Sequence, residues 1–338
     1  MAVRSQSKTV SRKPLTANRF YIMSTTIRIA TRESALARWQ ANWVAALLNQ
    51  RGYSVEMVYL TTHGDIHQTG PVETIGTEGV FTKEIQRAVL ENRADIAVHS
   101  LKDLPTLPTP SLTLSAVPAR APVADCLVSA FYRNLEDIPA DAVIGTGSLR
   151  RKAQLLAINS SWNIVPIRGN LQTRLGKLRT EESQKGAPFD GSFDAIILAE
   201  AGLRRMEYDS RISQIIPLNL IMPAIGQGAL GLESRQGDTI TQNALSKIND
   251  SNVYASVTAE RALLSALQGG CLAPVACVSH LLDNSVLELT GRVIAVDGSA
   301  VLENTQRSAL ESADELGKNV ANNLIAQGAA DLIAQARG

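Results

Sequence analysis

The chain has 338 residues, 45% of them apolar and 19% charged, a globular composition that excludes disorder as the main state. At about 100 to 200 residues per domain, the length predicts two or three domains that bury their cores without disulfides or metals. Lys and Arg number 33 against 32 Asp and Glu, and a net charge of +1 excludes a globally basic nucleic-acid binder or a protein drawn to anionic membranes, so any basic site must be local.

From Met1 to Arg32 there are seven basic residues and no acid. Such a stretch resembles an organelle transit peptide; the plainer reading is that Met23 is the working start and residues 1–23 are a disordered extension, because no amphipathic period organises them. Elements then alternate. Ile27–Ala30 predicts a strand, and apolar positions 36, 39, 43, 44, 47 and 48 predict a helix from Ser34 to Gln50, stopped by Gly52. Val55–Leu60 is a strand, Val80–Asn92 a helix and Asp95–His99 a buried-type strand, a βαβαβ order that implies a mostly parallel sheet. After the Pro-rich 105–110 a second set follows: strands at 126–130 and 142–145, a helix at 148–158, a strand at 164–168, a helix at 170–179 and a strand at 193–198. Residues 181–192 read as a polar surface insertion. A helix over 252–267, strands over 275–282, 286–296 and 300–308, and a helix from Ala313 predict a small α+β third domain. No apolar run reaches the roughly 18 to 20 residues that span a bilayer, and none follows the basic start as a signal peptide requires. Three cysteines, Cys126, Cys271 and Cys277, fit neither a disulfide framework nor a zinc site. The chain reads as cytoplasmic, or as organelle-targeted if residues 1–22 are a transit peptide.

Charge asymmetry is the strongest chemical signal. Between Ala142 and Thr180 there are seven basic residues and no acid. In Gly145-Thr-Gly-Ser148-Leu-Arg150-Arg151 a strand ends in a glycine turn, Ser148 sits where an N-cap would, and two arginines occupy the first helical turn. The helix macrodipole disfavours cations there, so their placement implies an anion held by free N–H groups and guanidinium forks. Arg168-Gly-Asn170 repeats the arrangement. A solvated basic face is the plain alternative. Arginine suits planar carboxylates as well as phosphates; with no Walker lysine and no interleaved aromatics, a polycarboxylate fits better than a nucleotide. Gly226-Gln-Gly228-Ala-Leu-Gly231 matches a dinucleotide fingerprint by letter, yet Pro223 precedes it and Leu232–Arg235 reads as strand or turn, so its context fails. Asp103 follows a buried strand at the carboxyl end where α/β sheets bind ligands; a structural Asp before a turn is equally compatible. Cys271, after two glycines, is placed on an accessible loop, either as a reactive thiol or as a small hydrophobe.

Taken together the chain resembles the porphobilinogen deaminase (hydroxymethylbilane synthase) family from about Thr26 to its C-terminus. The similarity runs through Ile29–Ala37, Gly79–Glu84, Ala94–Asp103, Gly145–Arg151, Arg168–Asn170, Asp194–Leu203, Pro223–Ala229 and Gly269-Gly-Cys271. The resemblance implies two periplasmic-binding-protein-like α/β domains plus a small C-terminal α+β domain, divided as 24–118 with 223–246, 119–222, and 247–338. It implies a transferase that joins four porphobilinogen molecules head to tail, releasing ammonia, to give linear hydroxymethylbilane. A dipyrromethane cofactor in thioether linkage to Cys271 is implied, held by Lys102, Ser148, Arg150 and Arg151. Arg32, Ser34, Arg168, Arg174 and Arg205 are the implied substrate binders and Asp103 the catalytic carboxylate. A monomer without metal, nucleic acid or membrane is expected. Gly147 stands where the family commonly has serine, and His63 where it commonly has arginine. Two rivals remain: a non-catalytic two-lobed carboxylate binder, which has no use for Cys271, and a nucleic-acid binder, which requires a basic balance that is absent.

Overall fold

A computed structural model describes residues 26–61, 82–180, 189–270, 273–283 and 285–337. The 1–23 extension, His63, Cys271 and most of the 181–192 insertion lie outside them. The first lobe opens with β1 (Thr26–Arg32), α1 (Ala35–Gln50), β2 (Ser54–Leu60), α2 (Lys83–Leu90), β3 (Ile96–Ser100) and β4 (Leu112–Ala116). The second holds β5 (Asp125–Ser129), β6 (Val143–Gly145), α3 (Leu149–Ile158), β7 (Asn163–Val165), α4 (Leu171–Leu175), β8 (Ala195–Ala199), α5 (Glu200–Arg205) and β9 (Gln214–Ile215). The chain then returns to the first lobe as β10 (Leu230–Arg235) and α6 (Thr239–Ser246).

Among the described residues the sheet of each lobe has five strands, ordered β2-β1-β3-β10-β4 and β7-β6-β8-β5-β9. In each, three parallel strands are followed by one antiparallel strand from the segment that has just crossed between lobes: β10 against β3, and β5 against β8. The expected mostly parallel sheet is therefore mixed, because a strand entering from the opposite lobe runs the other way. The two-crossover α/β architecture is as expected. Leu232–Arg235, ambiguous between strand and turn in sequence, is the body of β10.

Local chemistry explains the helices. Ser34 caps α1, its hydroxyl accepting from the Ala37 N–H at 3.4 Å. The buried face of α1 is Gln40, Ala41, Val44, Ala45 and Leu48. It is turned slightly from the predicted apolar stripe, and leaves Trp39 and Trp43, stacked at 6.4 Å, only partly buried, with Trp43 packed against the edge of the core. Helix α4 is shorter than the predicted 170–179, because the chain turns at Gly176 and Leu178 bridges to Phe193. Strand β4, directly after the Pro-rich stretch, and helix α6 carry too little periodicity to have been predicted.

The third domain is α+β as expected. Helix α7 (Ser251–Ala266) and helices α8 (Ala313–Ala326) and α9 (Ala329–Gln335) accompany an antiparallel sheet of β11 (Val275–Leu282), β12 (Val286–Ile294) and β13 (Val301–Ala309). Its core joins Leu263, Leu287, Leu289, Val293, Leu316, Val320 and Leu324. No helix among the described residues is long and apolar enough to cross a membrane.

Candidate active site

A cleft lies where the lobes and the third domain meet. Its walls include Lys102, Asp103, Gly147, Ser148, Arg150, Arg151, Arg174, Arg261, Gly269 and Gly270. Strand β3 ends in the 3₁₀ turn Leu101–Asp103; Leu101 is sealed in the core and its N–H donates to the Ala229 carbonyl at 3.0 Å, so Lys102 and Asp103 are turned outward from a fixed base.

Opposite stands the start of α3. Ser148 is its N-cap, accepting from the Arg151 N–H at 3.4 Å. Arg150 and Arg151 are only 4% and 5% exposed. A carboxylate of the chain itself stands at this helix start: Asp125, fully buried on β5, accepts from Arg150 Nη2 and Arg151 Nη2, each at 2.7 Å. Gln227 Nε2 donates to the same carboxylate at 2.8 Å. Burial alone would raise the Asp125 pKa, but the paired guanidiniums hold it far below the usual carboxylate range. Arg150 Nη1 also donates to the Met222 carbonyl, and Arg151 Nη1 to the Ile197 carbonyl at 3.1 Å. A solvated basic face is thereby ruled out for this pair. One carboxylate for two guanidiniums leaves excess positive charge, and the buried Nε of both arginines has no hydrogen-bond partner among the described residues. Unused buried donors beside surplus charge are what further carboxylates would satisfy.

Lys102 is exposed by surface area yet ringed by the cleft's walls. That crowding, with Arg151 and Arg150 adding to it against the pull of Asp103 and Asp125, lowers its pKa to about 8. Arg174, whose Nε donates to the Gly169 carbonyl at 2.8 Å, has its pKa lowered by burial and by Arg151, with Asp103 drawing it back up.

The structure does not bring all the candidates into this cavity. Ser34 caps α1; Arg32 and Arg168 are half-buried and do not line it. Arg205 sits at the junction of the lobes: its Nη2 donates to the Gly228 carbonyl at 2.7 Å, its guanidinium lies 5.8 Å from the Trp39 ring, and burial lowers its pKa to about 10. Cys271 is outside the described residues, although Gly270 and Ala273 on either side of it line the cleft.

Sequence reasoning missed Asp125, Gln227 and Arg261. From α7, Arg261 donates to the carbonyls of Leu104 and Pro105 at 3.0 and 2.7 Å, gripping the loop that follows Asp103. The false dinucleotide fingerprint is explained by the return crossing. Gly228 (φ +83) packs so closely on the outgoing crossing that a Cβ would overlap the Ala121 carbonyl and come within 3.0 Å of the Pro122 oxygen.

Fold and cleft together define a two-lobed, two-crossover α/β protein that sets one carboxylate against a partly neutralised arginine cluster, an arrangement for handling multiply carboxylated ligands. Residues 27–264 match the model of the porphobilinogen deaminase dipyromethane cofactor-binding domain, and 254–326 that of the porphobilinogen deaminase C-terminal domain. A porphobilinogen deaminase of Maridesulfovibrio salexigens is 40% identical over 309 residues, covering 91% of this chain and 97% of the relative. The chain belongs to the porphobilinogen deaminase family, transferases that polymerise porphobilinogen to hydroxymethylbilane in tetrapyrrole biosynthesis around a dipyrromethane cofactor. Among solved structures, a lipoprotein of Bacillus subtilis is similar at TM-score 0.40 and 12% identity, covering 66% of this chain and 90% of that one. A periplasmic solute-binding protein of Roseobacter denitrificans with bound β-D-glucuronate is similar at TM-score 0.33 and 10% identity, covering 71% and 85%.

Proposed function

We propose that Cys271 carries the dipyrromethane, that Lys102, Ser148, Arg150 and Arg151 hold its carboxylates, and that Asp103 is the carboxylate at the reacting centre. The observation that supports this most is the state of the cysteines. Cys126 is fully buried with its thiol pushed up to about 12, chiefly by desolvation, and Cys277 is 1% exposed and raised well above the ordinary value for the same reason. Buried neutral thiols are poor nucleophiles. Cys271 alone is flanked by residues of the cleft wall. When bound, the dipyrromethane supplies the free pyrrole position from which the chain is extended.

Each porphobilinogen brings an acetate and a propionate. Arg32, Ser34, Arg168, Arg174 and Arg205 would take those of incoming rings, and the N-capping serines can donate their hydroxyl hydrogens while accepting from the helix backbone. As the aminomethyl C–N bond breaks, its electron pair leaves with ammonia and positive charge spreads onto the pyrrole nitrogen. Asp103, accepting from that N–H, stabilises the charge and fixes the ring. The attacked ring position then forms the new C–C bond and gives up its proton, which the same carboxylate would receive. On this reading the enzyme is a cytoplasmic monomer.

Intact mass spectrometry of purified protein tests the attachment. Cys271→Ser should fold without a two-pyrrole adduct, while Cys126→Ser and Cys277→Ser carry it; an adduct on Cys271→Ser would refute the assignment.

A further inference from the structure

Helix α3 presents the arginine pair at its N-terminus; Leu155 anchors it in the core of the second lobe, and another side of it meets the third domain. Arg292 on β12 donates from Nη1 to Gln154 Oε1 at 3.1 Å and pairs through Nη2 with Glu303 at 2.7 Å. Gln154 is 2% exposed; its Oε1 also accepts from the Met222 N–H at 2.9 Å, and its Nε2 donates to the Met222 carbonyl at 3.0 Å. That carbonyl is the one to which Arg150 Nη1 donates. A short polar chain thus runs from the third domain through Gln154 and Met222 to the Arg150 guanidinium. Beside it Ala153 and Met222 pack with Ala276 and Ile294 in one buried cluster.

The far end of α3 is fixed by a turn. Gly298, between β12 and β13, has φ +78, and a Cβ there would overlap the Ala157 nitrogen and fall 2.5 Å from the Leu156 carbonyl carbon. Both the left-handed backbone and the contact require glycine. The third domain therefore touches α3 at residues 153, 154 and 156–157, and each contact bears on how far the helix projects into the cleft.

We propose that Gly298 and Arg292 are positioning residues for catalysis: through α3 and Met222 they set the depth and angle at which Arg150 and Arg151 meet the ligand carboxylates. The proposal rests on the carboxylate-binding reading of that pair. A helix shifted by about 1 Å misplaces a bidentate donor enough to cost roughly ten- to a hundredfold in rate.

The test uses the holoenzyme with porphobilinogen as substrate. Arg292→Gln and Gly298→Ala should each lower kcat/KM by about tenfold or more, chiefly through a raised KM, and should leave more enzyme stalled with few added pyrroles in intact mass spectra. Arg292→Lys, which keeps a donor to Gln154, should recover part of the loss. Arg307→Gln, on the same sheet but paired with Glu288 at the surface, should leave activity unchanged. If Gly298→Ala does not fold, Arg292→Gln decides. Combined with Arg150→Lys, Arg292→Gln should cost less than the product of the two single effects, because both act on one guanidinium. Variants that melt lower with kcat, KM and pyrrole loading unchanged, or a double variant with fully multiplicative losses, would overturn the proposal. Full activity in Arg150→Lys alone would instead remove the underlying reading of the arginine pair, a result visible without any change in the third domain.

Discussion

The surroundings of Asp103 fit the role proposed for it. It follows a buried strand, its turn is pinned by Leu101, and the loop beyond it is gripped by Arg261. If the arginines hold the substrate, removing this charge should affect the chemical step and leave binding nearly intact. Asp103→Asn is expected to lower kcat and kcat/KM together by several orders of magnitude with little change in KM, and Asp103→Glu to retain more activity. Steady-state kinetics decide this, and a loss expressed only in KM would return Asp103 to a binding role. The candidacy of Asp103 was legible because strand end, lysine and aspartate are contiguous. Asp125 was not: it acts on Arg150 across 25 positions, and no local pattern marks a carboxylate that meets its partners only after the sheet forms. The first-turn arginines pointed to a bound anion, and the carboxylate that the fold sets against them is the chain's own Asp125.

At the scale of elements, the first sheet is pinned by charge as well as by its apolar face. Asp95, just before β3, accepts from Arg28 of β1 at Nε and Nη2, at 3.1 and 2.8 Å, and from Arg235 of β10 at 2.9 Å. Burial opposes its ionisation, yet these bonds outweigh it and lower the Asp95 pKa from 3.8 to about 2. A carboxylate depressed in the folded state stabilises fully above its unfolded value and loses that contribution as the pH falls through its folded one. Stability should therefore decline between about pH 4 and pH 2 by about 2 kcal/mol from this group. Denaturant unfolding of Asp95→Asn should show a deficit at pH 6 that narrows toward pH 2; a deficit independent of pH would exclude the linkage. Helices and parallel strands were readable here because their periods and caps are local. Strand β10 was ambiguous because its neighbours are β3 and β4, more than a hundred residues earlier in the chain.

In the whole molecule the third domain is joined to the lobes' crossings by a buried ion pair. Arg120, between β4 and β5, donates from Nη1 and Nη2 to Glu260 of α7 at 2.6 and 2.9 Å, and from Nε to the Gln227 carbonyl at 2.9 Å. Glu260 also accepts from the Gly226 N–H and the Ser279 hydroxyl, at 2.8 and 2.6 Å. Removing one partner of such a pair strands a buried charge at a cost of about 3 to 5 kcal/mol. Arg120→Ala should accordingly melt several degrees lower than wild type in calorimetry, while Arg120→Lys falls in between; an unchanged melting temperature for Arg120→Ala would show that the pair contributes nothing.

The path of the chain through the two sheets also bears on the order of synthesis. The second lobe's strands all lie between Asp125 and Ile215, in one contiguous run. In the first lobe β4 meets its sheet, among the described residues, only through β10, so that sheet cannot close until Leu230–Arg235 have been made. Domains fold as units while the ribosome is still at work. The lobe begun first is therefore finished second, and its newly made strands must wait, with the β3 edge open, for a segment encoded beyond the whole of its neighbour.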